Sequence, residues 1–150
     1  MPEETIKKVP YQKPESRLNL EAGSLSLDQV NLLLKHLPLD VTFVDEEDTV
    51  RYYSETSDRI FPRSRAVIGR KVQDCHPRDS VHVVNRILDA LRRGEKDKAE
   101  FWLELGERFI HIRYFAVRDA ESRYRGCLEV SQDLTGLRRL EGERRLLDWI

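Results

Sequence analysis

Apolar residues recur along this chain in two rhythms, and the changes from one to the other mark its elements. Leu27, Val30, Leu33, Leu34 and Leu37 repeat at helical spacing. Ser26 opens that run and Gln29 follows three residues later, a spacing at which each side chain can bond the other residue's free backbone N–H. Pro38 stops the run, because it lacks an N–H and disfavours helix in the residues before it. The pattern therefore predicts a helix within 25–38 whose leucine stripe needs cover.

The rhythm then shortens. Residues 39–45 and 49–54 read as the two strands of a hairpin, joined by the charged turn Glu46-Glu47-Asp48. Residues 55–75 are interrupted by Pro62 and Gly69 and read as short helical turns. Helical spacing returns over 79–92, where Val81, Val84, Ile87, Leu88 and Leu91 form one stripe and Gly94 supplies a stop. Three strands follow, at 98–105, 108–117 and 126–133, with Gly106-Glu107 as the tight turn between the first two. Leu137, Leu140, Leu147 and Ile150 predict an amphipathic helix over 135–150. Residues 1–24 carry Pro2, Pro10, Pro14 and Gly23 among polar side chains and read as a linker or arm.

Runs of strands separated by a helical block give an α+β domain with a five-stranded antiparallel sheet, helices on one face and an amphipathic helix at each flank. The domain proper spans 39–134. The helical block can cover one sheet face and leave a pocket beneath it. Phe43, Tyr53, Ile60, Phe61, Val72, Val84 and Leu88 are the candidate lining, with His76 and Tyr114 as polar groups. The alternative is that these side chains pack as a filled core.

Composition narrows the function classes. The 150 residues carry a formal net charge of −1, which gives no general attraction to nucleic acid or to an anionic membrane. Cys75 and Cys127 are isolated in sequence and read as reduced cytoplasmic thiols. The opening Met-Pro-Glu-Glu-Thr-Ile-Lys-Lys lacks the apolar stretch of a signal peptide. No apolar run is long enough to span a bilayer.

The pair Cys75-His76 is the candidate for thiol chemistry, because a thiolate near a helix start or a histidine gains reactivity. A redox switch or enzyme built on it is the second reading. A metal could draw on Cys75, His76, His82, His111 or Cys127, but the paired short spacings of structural zinc sites are absent. No glycine-rich phosphate loop and no Gly-x-Ser-x-Gly elbow occurs. The sequence thus predicts no metal site and no catalytic constellation.

Several segments carry a family resemblance. Ile68-Gly-Arg-Lys followed by His76-Pro-Arg-Asp, the turn Val117-Arg-Asp and the closing Asp133-Leu-Thr resemble the signature segments of PAS domains. Val41-Thr-Phe-Val-Asp, Arg59-Ile-Phe-Pro-Arg, Gly69-Arg-Lys-Val-Gln-Asp-Cys-His-Pro, Ser80-Val-His, Ala99-Glu-Phe-Trp and Ile112-Arg-Tyr-Phe-Ala-Val-Arg-Asp resemble one PAS group more closely. That group lies at the C-terminal end of bacterial and archaeal proteins with a hemerythrin-like, cation-binding domain and a domain of unknown function upstream.

The resemblance, over residues 25–150, implies a PAS fold and a sensory or interaction module that binds a small ligand or a protein partner in signal transduction. It implies no iron chemistry for this chain, since the hemerythrin-like segment lies outside it. Some PAS sensors hold haem through a histidine on the long helix, and His82 lies on the corresponding helix. A haem sensor is therefore the third reading, opposed by helical geometry that sets His82 opposite the Val84–Leu91 stripe. Flavin is opposed too: photoreactive flavin-binding PAS proteins carry Asn-Cys-Arg-Phe-Leu-Gln, whereas Cys75 sits in Gln73-Asp-Cys-His. The flanking stripe predicts a homodimer through Leu27, Val30, Leu34 and Leu37.

Overall fold

The computed structural model describes residues 16–149. The chain divides into two compact units, with the boundary between His36 and Leu37.

In the first unit, β1 (Arg17–Leu20) and β2 (Gly23–Ser26) form an antiparallel hairpin, followed by α1 (Leu27–His36). Within the stretch 1–24 that the sequence reads as a linker or arm, residues 17–20 and 23–24 are thus paired strands, while residues 1–15 lie outside the described residues. Two local features account for the hairpin. Gly23 closes the turn at φ +98°, a conformation that costs glycine little. Leu18 then pairs with Leu25, and Arg17 Nε reaches Ser24 Oγ at 3.0 Å. The helix start is a reciprocal cap: Ser26 N donates to Gln29 Oε1 at 2.9 Å and Gln29 N to Ser26 Oγ at 3.1 Å.

The second unit holds a five-stranded antiparallel sheet in the order β4-β3-β7-β6-β5. Its strands are β3 (Asp40–Asp45), β4 (Val50–Tyr53), β5 (Lys98–Leu105), β6 (Arg108–Arg118) and β7 (Tyr124–Asp133). Between β4 and β5 run two single helical turns, Arg65–Val67 and Val72–Cys75, and the long helix α2 (Arg78–Arg93). Gly94 at φ 76° ends α2, its N–H and that of Glu95 returning to the Leu91 and Ala90 carbonyls.

Leu88 and Leu91 of α2 are buried against Cys127 of β7, with Val84, Ile87, Tyr114 and Ala116 packed around them. α2 therefore covers the sheet face that carries Tyr114, Cys127 and their register neighbours. At 25 cal/mol per Å² of apolar surface, burying one such leucine contributes about 1.5–3 kcal/mol.

The C-terminal segment differs from the predicted helix. Only the single turns Leu137–Arg139 and Leu146–Asp148 form. Leu140, Leu146 and Leu147 are 73%, 95% and 94% exposed, so the stripe has no apolar surface to bury. Most helical stability comes from tertiary packing of the amphipathic face, which is missing here, and Gly136 and Gly142 weaken the helix further. Asp133 and Thr135 cap no helix. Instead Thr135 donates to Asp133 Oδ1 through N and Oγ1, at 2.9 and 2.5 Å, while Phe109 N donates to Thr135 Oγ1 at 2.9 Å. The chain exit is thereby tied back to the start of β6.

Candidate functional site

A cavity of about 200 Å³ lies between the covered sheet face, the loop 62–67, the turn 72–76 and α2. The chain leading into the loop is anchored by one carboxylate. Asp40 accepts from Thr56 Oγ1 at 2.6 Å and from Ile60 N at 2.7 Å. That anchors residues 56–60 at the start of β3 and sends Pro62, Arg63 and Ser64 over the cavity. On the far side, Gly69 N and Val50 N exchange bonds with the Val50 and Arg70 carbonyls, at 2.8 and 2.9 Å. Val72 N donates to Asp48 O at 2.8 Å. The second helical turn is thus fixed over Val50.

The floor is built by strand register. Thr42 of β3 pairs with Glu129 of β7, and Glu129 pairs with Tyr114 of β6. One row across the central strands is therefore polar. The adjacent row pairs Val44 with Cys127 and Cys127 with Ala116, and it is apolar. Val72, Val84, Ile87 and Leu88 close the cavity from above.

Electrostatics follow from burial. Arg63 donates to Glu129 Oε1 at 3.2 Å, with both side chains largely covered. Burial, helped by the Glu129 carboxylate, pushes the Tyr114 phenol far above its usual range, so it stays protonated. Burial also pushes the Cys127 thiol up to about 12, with Glu129 and Asp48 adding to it. His76 Nδ1 donates to Val72 O at 2.9 Å. That bond puts the proton on Nδ1, so in the neutral ring Nε2 is an acceptor.

Of the predicted lining, Val72, His76, Val84, Leu88 and Tyr114 border the cavity, and Cys75 does too. Phe43, Tyr53, Ile60 and Phe61 do not. Phe43 alternates with Thr42 and Val44, so it projects from the opposite face, where its ring meets Gly126. Tyr53 shares the Thr42 face but lies on the edge strand, under the guanidinium of Arg59 at 5.4 Å. Ile60 and Phe61 stay beside the Asp40 anchor, upstream of Pro62. Thr42, Arg63, Cys127 and Glu129 were absent from the prediction. The signal for Glu129 was present, since a charge between Leu128 and Val130 in an alternating strand must face the opposite side with Cys127.

The thiol and histidine candidates separate. Cys75 is exposed and its Sγ contacts Lys71 O at 3.6 Å, whereas the His76 ring is engaged with Val72 O. Cys75 and Cys127 are both free thiols. His82 is exposed and outside the cavity lining. His111 Nε2 pairs with Glu100 Oε2 at 2.7 Å across β5 and β6. No cluster of metal-ligating side chains occurs among the described residues. No helix among them is long and apolar enough to cross a membrane.

The profile of the PAS domain family matches residues 30–135. The chain belongs to the PAS domain family. Its PAS fold is similar to the C-terminal domain of a Streptococcus mutans protein, with 34% identity and a TM-score of 0.79 over 83% of this chain and 97% of that one. A PAS domain from Colwellia psychrerythraea shares the fold at 15% identity and a TM-score of 0.53, over 73% and 98% of the two chains. The sensory box of a Vibrio cholerae sensor histidine kinase does so at 12% identity and a TM-score of 0.50, over 69% and 88%. No curated protein matches the chain. PAS domains are, as a family, sensory modules and typically non-enzymatic.

Proposed function

We propose that this PAS domain senses a small molecule held in the cavity between α2 and the sheet. The supporting observation is the two-sided floor, with the polar row Thr42–Glu129–Tyr114 beside the apolar row of Val44 and Cys127. Glu129 on the central strand β7 is paired with Arg63 from the loop above it, and covering such a charged pair costs free energy that a ligand's contacts would offset. Val72, His76, Val84, Leu88 and Tyr114 carry over from the predicted lining, with Cys75 at the rim.

The homodimer through Leu27, Val30, Leu34 and Leu37 belongs to the same proposal. Leu27 and Leu37 are 63% and 42% exposed in the single chain, and Val30 and Leu34 are half-buried, so the stripe keeps apolar surface that a partner would cover. The resemblance to PAS domains that follow hemerythrin-like domains, and the C-terminal place of the Streptococcus mutans relative in its own protein, support a role as the regulatory end of a longer cytoplasmic architecture.

A thermal-shift screen of small metabolites against the wild type and Val84→Phe tests the cavity reading. A ligand at a hundred times its Kd stabilises by about 2.7 kcal/mol, so compounds should raise the wild-type Tm and leave the filled variant unmoved. Equal shifts in both proteins contradict it.

A further inference from the structure

The cavity carries its own charge balance, and that balance constrains what fits. Arg63 and Glu129 face each other at 3.2 Å on the polar side of the floor. Arg63 spends one N–H on Glu129 Oε1. Thr42 Oγ1 accepts from Arg59 at 3.2 Å and keeps its own hydrogen to give. His76 commits Nδ1 to Val72 O. The Tyr114 hydroxyl, which stays protonated, spends its hydrogen on Glu129. The site therefore presents donors on Arg63 and Thr42, and acceptors on Glu129, Tyr114 Oη and, in the neutral ring, His76 Nε2.

We infer that the cavity selects a small amphiphile with an uncharged head group that both donates and accepts hydrogen bonds. The inference rests on the cavity reading proposed above and goes further, by naming the ligand's chemistry. An anionic head would meet the Glu129 carboxylate and a cationic head the Arg63 guanidinium. Either leaves a like charge unbalanced in a largely covered site, which is costly. An uncharged amide, lactam or hydroxyl-and-carbonyl head leaves the ion pair intact and engages its free donors and acceptors. The ligand's body lies along Val44 and Cys127, beneath Val72, Val84 and Leu88. At about 200 Å³ the space falls below the roughly 300–1,000 Å³ of pockets for drug-sized molecules, so the body is one ring or a short chain.

Benzamide, benzoate and benzamidinium share one shape and differ in head-group charge, so they test the inference on the full chain. Titrations are followed by ¹H–¹⁵N correlation spectra. In the wild type, benzamide should bind best, by about tenfold or more over each charged isostere, and shift the amides of Thr42, Tyr114 and Glu129. Arg63→Gln should turn the preference towards benzamidinium, and Glu129→Gln towards benzoate. A charged isostere that matches or exceeds benzamide in the wild type overturns the inference, and that ranking stands even if a variant does not fold. Preferences unmoved by either substitution in folded protein overturn it as well. If none of the three probes binds, the cavity reading itself fails.

Discussion

The ring of Phe43 lies against Gly126 on the sheet face turned away from the cavity. A Cβ at Gly126 would stand 2.9 Å from that ring and 2.2 Å from the carbonyl oxygen of Val44. The residue's φ of +145° adds a conformation that side chains rarely adopt. Gly126→Ala must therefore displace backbone as well as ring. Its expected cost is about 1–3 kcal/mol, seen as a lower urea midpoint with an unchanged slope. A midpoint equal to wild type refutes the close approach.

The elements differ in how legible they were in the sequence. Alternation placed β5, β6 and β7 almost to the residue, because Gly106 closes a two-residue turn and long apolar–polar runs flank it. Ser26 and Gln29 announced α1 for an equally local reason. The facing of β3 was not legible. Val41, Thr42 and Val44 are all buried, at 8%, 6% and 7% exposure, so both faces look like core, and Phe43 is the larger apolar residue on the wrong one. Arg63 depends on a tertiary anchor, Asp40, which lies 20 residues from Ile60 in sequence. The C-terminal stripe misled because periodicity reports a face that could be buried and not the surface that buries it.

The two thiols should differ sharply in reactivity. Cys75 is exposed, whereas Cys127 is buried with its thiol pushed up to about 12. In native protein at pH 8, a chromogenic disulfide should label Cys75 promptly and Cys127 only after denaturant is added. Mass mapping of the labelled peptides checks this, and fast labelling of Cys127 in native protein contradicts it.

Acid should weaken the fold through specific carboxylates. Asp133 ionises below the usual range because the Thr135 hydroxyl and amide bond its ionised form. At Asp45 burial works the other way but is outweighed by bonds from Arg51, Thr49 and Glu47, so its pKa is also lowered. Carboxyls held low in the folded state stabilise it above the unfolded value of about 3.9, and that stabilisation is lost as pH falls through the folded value. The Tm should hold above about pH 5 and fall below about pH 4. Asp133→Asn and Asp45→Asn should each flatten that acid limb, and a limb as steep as wild type in both argues against these bonds.

Dimerisation through α1 predicts a change of mass. Val30→Glu combined with Leu34→Glu places charge on the stripe without touching the Ser26–Gln29 cap. Sedimentation velocity should show the wild type as a dimer and the variant as a monomer with unchanged circular dichroism. A wild type that remains monomeric across concentrations removes the interface.

The most direct test of the central claim is native mass spectrometry of the protein purified gently from its own cells, beside Val84→Phe. Val84 lines the cavity from above, so the larger ring should occupy the ligand's space. The account predicts a small-molecule adduct on the wild type that the variant has lost. Identical spectra, whether both show the bare chain or both carry the same adduct, contradict it.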